Sequence, residues 1–303
     1  MSRVAYLGPR GTFSQAALLE MSHRGLLPAG CDEVDTASTP AALKAVRDGA
    51  ADYACVPIEN SIEGSVSPTL DSLAFENPLQ IYGELVLDVA FSIVTRPGTA
   101  ADDVITIAAF PVAAAQVQRW VSVHLPAATF VPAISNAAAA VDVRDGRADA
   151  GVSTALAAEL YGLDTLAGGV VDEANARTRF VLAGPPGPPP PRTGADRTSV
   201  VLRLDNVPGA LVSAMTEFSI RRIDLTRIES RPTRTELGTY VFFLDCVGHL
   251  EDDSVAEALK ALHARCTDVR YLGSWPTETP VGALPPVTEE ATQWLQRLRR
   301  GDR

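Results

Sequence analysis

The chain has 303 residues, 46% hydrophobic and 21% charged, a composition that supplies packed cores for about two domains and excludes a disordered or fibrous chain. Its formal net charge of −11 has the wrong sign for general attraction to nucleic acid or anionic lipid, so neither is expected as a partner. No apolar run reaches about 18 residues and MSRVAYLGPRGTFSQ lacks a secretory pattern, so no membrane span and a cytoplasmic location are expected.

In chain order, the first predicted elements are a strand at Val4–Leu7, helices at Ser14–His23 and Pro40–Asp48, a strand at Tyr53–Ile58 and a helix at Pro68–Phe75. A second run follows: strand Ile105–Phe110, helix Val112–His124, strand Thr129–Pro132, helix Ala137–Asp145, strand Ala150–Val152, helix Ser153–Tyr161 and strand Phe180–Ala183. Thr39, Asn136 and Ser153 fit as N-caps because their side-chain oxygens accept from free first-turn N–H groups. Alternation of this kind predicts a mostly parallel sheet with helices on both faces. The segment Ser38–Asp52 matches Ser135–Asp149 at nine of fifteen positions, 97 residues apart. Both read as a capped helix ending in R-D-G that feeds a strand. The repeat predicts two similar α/β lobes and a ligand cleft between them.

The stretch Gly184-Pro-Pro-Gly-Pro-Pro-Pro-Pro-Arg192 lacks the N–H groups that helices and central strands need, so it reads as a spacer. The domains are therefore placed at 1–184, a linker at 185–197, a second domain at 198–276 and a tail at 277–303. The second domain reads β-α-β-β-α-β, with strands Thr198–Leu204, Leu225–Ser230, Thr239–Val247 and Val269–Ser274 around helices Ala210–Ser219 and Ser254–Cys266. That order is a ferredoxin-like plait. The tail ends in a short amphipathic helix at Glu289–Arg300. Cys31, Cys55, Cys246 and Cys266, and the four histidines, have no ligand spacing, so free thiols and no metal are expected.

Three segments carry chemistry. The first strand turns into the first helix through Gly8-Pro9-Arg10-Gly11-Thr12-Phe13-Ser14. Its glycines allow close backbone approach, and a helix N-terminus with hydroxyls from Thr12 and Ser14 suits a carboxylate. At the carboxyl end of another strand, Glu59-Asn60-Ser61 offers an acceptor, an amide and a hydroxyl where open α/β sheets hold ligands. Asn175-Ala-Arg177-Thr178-Arg179-Phe180 leads into the last strand before the spacer. In a regular strand Thr178 and Arg179 face opposite sides, and only a bulge or a preceding turn lets both reach one ligand.

Together the G-x-x-G-T-F-S turn, the P-x-E-N-S loop and the T-R-F segment, in this order and followed by an ACT-type domain, closely resemble bacterial prephenate dehydratase. The resemblance runs to about Pro276. In the second domain Asn206-Val-Pro-Gly209-Ala210-Leu211 resembles the family's G-A-L motif and Glu229-Ser230-Arg231-Pro232 its E-S-R-P motif. The chain departs where many members carry His-Pro-Gln: it has Phe110-Pro111-Val112 through Gln116, so no histidine is assigned to the site.

The resemblance implies a two-lobed, periplasmic-binding-protein-like catalytic domain and an ACT regulatory domain. It implies loss of carbon dioxide and hydroxyl from prephenate to give phenylpyruvate in phenylalanine biosynthesis, with no cofactor because aromatisation drives the reaction. Thr178 is implied to meet the departing oxygen, as a hydrogen-bond donor. Glu59 is the candidate general acid, its carboxyl kept protonated by desolvation. Substrate binding is implied for Thr12, Phe13, Ser14, Asn60, Ser61, Arg179 and Phe180, with Arg179 pairing a carboxylate. Phenylalanine is implied to bind at Asn206, Gly209, Ala210, Leu211, Glu229, Ser230 and Arg231 between subunits of a homodimer or homotetramer. The rival readings are arogenate dehydratase and a non-catalytic ligand sensor.

Overall fold

The structure, a computed structural model, describes residues 2–27, 30–172, 176–277, 282–284 and 289–301. Asn175 of the segment before Thr178 lies outside the described residues, as does part of the tail. The chain divides into two compact units, residues 1–70 with 85–183 and residues 71–84 with 184–303.

In the first unit, β1 (Arg3–Leu7) lies between β2 (Asp32–Thr36) and β3 (Tyr53–Asn60), all parallel. The helices α1 (Phe13–His23), α2 (Thr39–Arg47) and α3 (Ser67–Phe75) follow the successive strands, and the two-residue β4 (Gly64–Ser65) folds back on β3. After β5 (Gln80–Asp88) the chain builds a second lobe. Its strands are β6 (Phe91–Thr95), β7 (Thr106–Ala109), β8 (Thr129–Pro132), β9 (Ala150–Ser153) and β10 (Asp164–Val170). Its helices are α4 (Pro111–His124), α5 (Asn136–Arg144) and α6 (Ala155–Tyr161). Finally β11 (Arg177–Gly184) returns to the first sheet, antiparallel to β3. The strand orders are β2-β1-β3-β11-β5 and β10-β6-β9-β7-β8.

Both sheets are mixed, which corrects the expectation of a mostly parallel sheet. In the second lobe β7 runs parallel to β8 and β9, whereas β6 is antiparallel to β9 and β10. The antiparallel pairings involve the short β4 and the strands next to the crossings between lobes, and five strands, β2, β4, β5, β6 and β10, lie where the sequence pattern predicts none. Of these, β2 (DEVDT) is charged and exposed at alternate positions. The glycines of β10 coincide with register shifts.

The repeated segments fold alike in detail. Ser38 and Ser135 cap α2 and α5, accepting from Ala41 N and Ala138 N at 3.2 and 3.0 Å. Gly49 and Gly146 follow the helices at φ 72° and 74°, where only glycine is unstrained. Asp52 then accepts from Arg3 N at 2.7 Å and Asp149 from Thr106 N at 2.9 Å, pinning the starts of β1 and β7. The expected caps Thr39, Asn136 and Ser153 are each one residue off, and Thr154 caps α6. Thr39 and Asn136 are already inside their helices, where a side chain cannot reach the third N–H, and Ser153 stands one residue too early, its hydroxyl donating to the Asn136 carbonyl at 2.6 Å.

In the second unit, β12 (Asp196–Arg203), α7 (Ala210–Ser219), β13 (Leu225–Pro232), β14 (Tyr240–Val247), α8 (Asp253–Arg265) and β15 (Asp268–Pro276) form the plait, with sheet order β13-β14-β12-β15. The tail contributes α9 (Glu289–Arg300). Within this unit Arg197 pairs with Glu84 at 3.0 Å, both nearly buried, and Ser199 donates to the buried Asp245 at 2.7 Å. Gly273 permits β15 to pass residues 71–84, since a Cβ there would lie 2.3 Å from the Ile81 carbonyl oxygen. Among the described residues no helix is long and apolar enough to cross a membrane.

Candidate active site

The turn after β1 is shaped by its own bonds. Thr12 caps α1: its hydroxyl accepts from Gln15 N at 3.3 Å and donates to the Leu7 carbonyl at 2.9 Å. Its proton is thereby committed to the backbone, and the hydroxyl of the buried Ser14 is the better placed ligand donor.

A register shift between β3 and β11 builds the next wall. Thr178 pairs with Asn60 and Arg179 with Glu59, but Phe180 pairs with Pro57, so Ile58 is the extra residue. This bulge puts both Pro57 and Asn60 on the side that carries Thr178 and Phe180. The Asn60 Nδ2 donates to Thr178 Oγ1 at 2.9 Å. Asn60 Oδ1 in turn accepts from Ile62 N and Glu63 N at 2.9 and 3.0 Å. The Thr178 oxygen is therefore occupied as an acceptor, and its own proton is left to point outward.

These pieces meet in a cleft of about 940 Å³ lined by Thr12, Phe13, Ser14, Asn60, Thr178 and Phe180 from the first lobe. Phe110, Gln116, Ser135 and Asn136 close it from the second lobe. Asp35 and Glu63 also reach it, and no lysine, arginine or histidine lines it among the described residues. Positive potential comes instead from helix N-termini: those of α1, α3, α4 and α5 all contribute to the wall, each equivalent to a partial positive charge.

Three predicted site residues stand elsewhere. Arg179, 7% exposed, is on the opposite face of its strand from Thr178 and pairs with Glu59 at 2.9 Å. The extra residue of the bulge is on β3, so β11 alternates regularly and Arg179 stays on the far face. The Glu59 side chain is 41% exposed, pairs with Arg179 and is not among the residues that line the cleft. Ser61 binds the strand rather than the cleft: its hydroxyl accepts from Arg177 N at 2.9 Å and its N–H donates to the Arg177 carbonyl at 2.8 Å.

Among the lining residues not assigned from sequence are two amides of the second lobe. Gln116 is the one polar residue retained where the chain departs from His-Pro-Gln, and Asn136 is freed for the cleft because Ser135 does the capping. Gln116 Oε1 and Asn136 Oδ1 are buried without a hydrogen-bond partner, which costs about 1–3 kcal/mol for each group left unpaired.

In the second unit, Asn206, Gly209 and Leu211 are exposed at the start of α7, with Ala210 half-buried beside them and Gly209 at φ 83°. Glu229, Ser230 and Arg231 lie on the edge strand β13. The Arg231 guanidinium is committed to Asp71 through bonds of 3.1 and 3.2 Å, and Arg234 joins the same carboxylate.

The prephenate dehydratase family model matches residues 4–186 and the ACT domain model residues 198–264. A prephenate dehydratase of Mycobacterium sp. (strain JLS) is 73% identical, over 99% of this chain and 97% of that protein. The crystal structure of prephenate dehydratase from Arthrobacter aurescens in complex with L-Phe is 38% identical with a TM-score of 0.87, covering 98% of this chain and 99% of the other. A structure of GqqA, described as a novel type of quorum quenching acylase, is 31% identical with a TM-score of 0.81, covering 91% of this chain and 98% of the other. The two-lobed fold with a C-terminal ACT domain and the near-complete alignment agree: the chain belongs to the prephenate dehydratase family.

Proposed function

We propose that the chain converts prephenate to phenylpyruvate, carbon dioxide and water, and that phenylalanine regulates it through the ACT domain. The observation that carries the catalytic reading is the Asn60–Thr178 bond facing the cleft. As the ring carboxylate leaves as carbon dioxide, the electrons of its bond to carbon enter the ring and expel the hydroxyl. Thr178, its oxygen held by Asn60, donates a hydrogen bond to that oxygen and keeps its own proton; the hydroxide that leaves becomes water by taking a proton from solvent. A preorganised donor of this kind is worth roughly 10²–10³ in rate.

Prephenate brings two carboxylates to a cleft with no cationic side chain among its described lining residues. Helix N-termini, Ser14 and the amides of Gln116 and Asn136 serve as neutral donors. Neutral donors suit the ring carboxylate, which must lose its charge on the way to the transition state; a salt bridge would hold the ground state instead. Glu59 and Arg179 act behind the strand, fixing the register that presents Thr178. Asp35 and Glu63 in the cleft favour a cationic group, which makes arogenate, the amino analogue, the second reading.

The regulatory reading draws on the ACT domain match and on the L-Phe bound to the Arthrobacter relative. It assigns catalysis to residues 1–184, a linker to 185–197, regulation to 198–276 and a peripheral tail to 277–303, in a cytoplasmic homodimer or homotetramer. Phenylalanine is taken to bind at the start of α7 and along β13. The test is to incubate the purified protein separately with prephenate and arogenate and follow the aromatic product. Phenylpyruvate from prephenate, at a rate that shifts when phenylalanine is added, is the expected result. Turnover of arogenate alone selects the second reading, and turnover of neither overturns both.

A further inference from the structure

The turn that presents Ser14 is gripped from the other lobe. The Thr154 hydroxyl accepts from Ala157 N at 3.0 Å, capping α6, and donates to the Gly11 carbonyl at 2.7 Å. Thr154 is 3% exposed. An N-cap needs only an acceptor oxygen, so the donation to Gly11 is not required by the helix. About two turns further along, at the end of α6, the Tyr161 hydroxyl donates to the Arg10 carbonyl at 3.2 Å. The approach leaves no room for a side chain at position 11. Gly11 has φ +87°, and a Cβ there would lie 3.0 Å from Ala157 Cβ. Beside it, Phe13 packs against the apolar cores of both lobes and meets Phe91 edge-on at 5.6 Å.

We propose that Thr154 is a positioning residue for the substrate site. It latches the ligand turn of the first lobe to α6 of the second, so that Ser14 and the α1 N-terminus keep their distance from Gln116 and Asn136 across the cleft. Thr154 touches no substrate. It acts through Gly11, and the turn's own bonds to Leu7 and Gln15 hold its shape but not its place against the second lobe.

The proposal rests on prephenate turnover for its kinetic test, so a second readout independent of substrate accompanies it. Thr154→Val should raise KM for prephenate about tenfold, the equivalent of one lost hydrogen bond, and leave kcat within about threefold. Thr154→Ser, which keeps both bonds, should remain within about twofold of wild type. Gly11→Ala, which leaves the α6 cap intact but pushes the turn off Ala157, should raise KM as Thr154→Val does. In hydrogen exchange of the unliganded protein, the peptide spanning residues 8–16 should exchange faster in Thr154→Val and Gly11→Ala and at the wild-type rate in Thr154→Ser. If Thr154→Val lowers the melting temperature through the lost cap while that peptide exchanges as in wild type, Thr154 is a cap only and the proposal is overturned. If the wild type itself leaves prephenate unchanged, the functional reading fails and the exchange result alone decides this one.

Discussion

At residue 178 the chemistry depends on which partner supplies which hydrogen-bonding atom. Asn60 donates to the Thr178 oxygen, so removing the donor matters as much as removing the hydroxyl. Thr178→Val should lower kcat by roughly 10²–10³ with the fold intact, while Thr178→Ser keeps much of it, both read by steady-state kinetics beside circular dichroism. Asn60→Asp, whose carboxylate cannot donate to Thr178, should lower kcat with little change in melting temperature. Glu59 gives a sharper contrast. As a proton donor it would tolerate no amide, whereas as the ion-pair partner of Arg179 it should allow Glu59→Gln to keep kcat within about tenfold and lose stability by about 1–3 kcal/mol. Loss of turnover in Glu59→Gln with an unchanged denaturation midpoint would restore the acid role. The ordered motifs of the resembled family single out Thr178, Asn60 and Ser14, and these three line one cleft. Strand alternation already sets Arg179 opposite Thr178, but the sequence does not reveal which strand carries the bulge, and the extra residue is on β3 rather than β11. Nor does it show that the Thr12 hydroxyl is spent on a backbone carbonyl.

Helices and strands show where the duplication was copied and where it diverged. Ser135→Ala should cost about 1 kcal/mol by denaturant unfolding, as should Ser38→Ala, whereas Thr39→Ala should cost less because Thr39 is inside its helix. Asp149 adds a pH signature. The Thr106 hydroxyl, and then the Thr106 and Ile105 N–H groups and Arg96, hold its carboxyl below the usual aspartate range. A depressed value in the folded state means that the stabilisation is complete above the unfolded value, about 3.9, and is lost as the pH falls through the folded one. Unfolding of wild type and Asp149→Asn should therefore differ at pH 6 and converge as the pH drops below about 4; an equal gap at every pH would contradict this. The helices are nearly all legible from capping and periodicity. The strands that cross between lobes are not, since nothing local in QIYGELVLD or FSIVT declares whether the neighbour runs parallel or antiparallel.

Across the whole molecule all four cysteines are free thiols, as their scattered spacing suggests. Burial pushes the thiol of Cys246 up to about 12 and that of Cys55 further in the same direction; Cys266, half-buried, is raised as well. A thiol reagent at neutral pH should therefore label Cys31 first and Cys266 more slowly, with Cys55 and Cys246 appearing only on unfolding. Early labelling of all four would mean that these cores open readily. The domain order was legible from the proline run, but the grouping of residues 71–84 with the second unit was not, since it depends on long-range packing such as that of Gly273 against Ile81. The antiparallel return of β11 onto β3 joins residues 118 positions apart, and it dictates the order of manufacture. On the ribosome, the nascent first lobe must wait with β3 lacking its partner while the whole second lobe is translated and folds. A chain released before residue 177 would carry Asn60 with no hydroxyl to hold and an open sheet edge in its place, so a stalled or truncated product is inert and prone to aggregate rather than partly active.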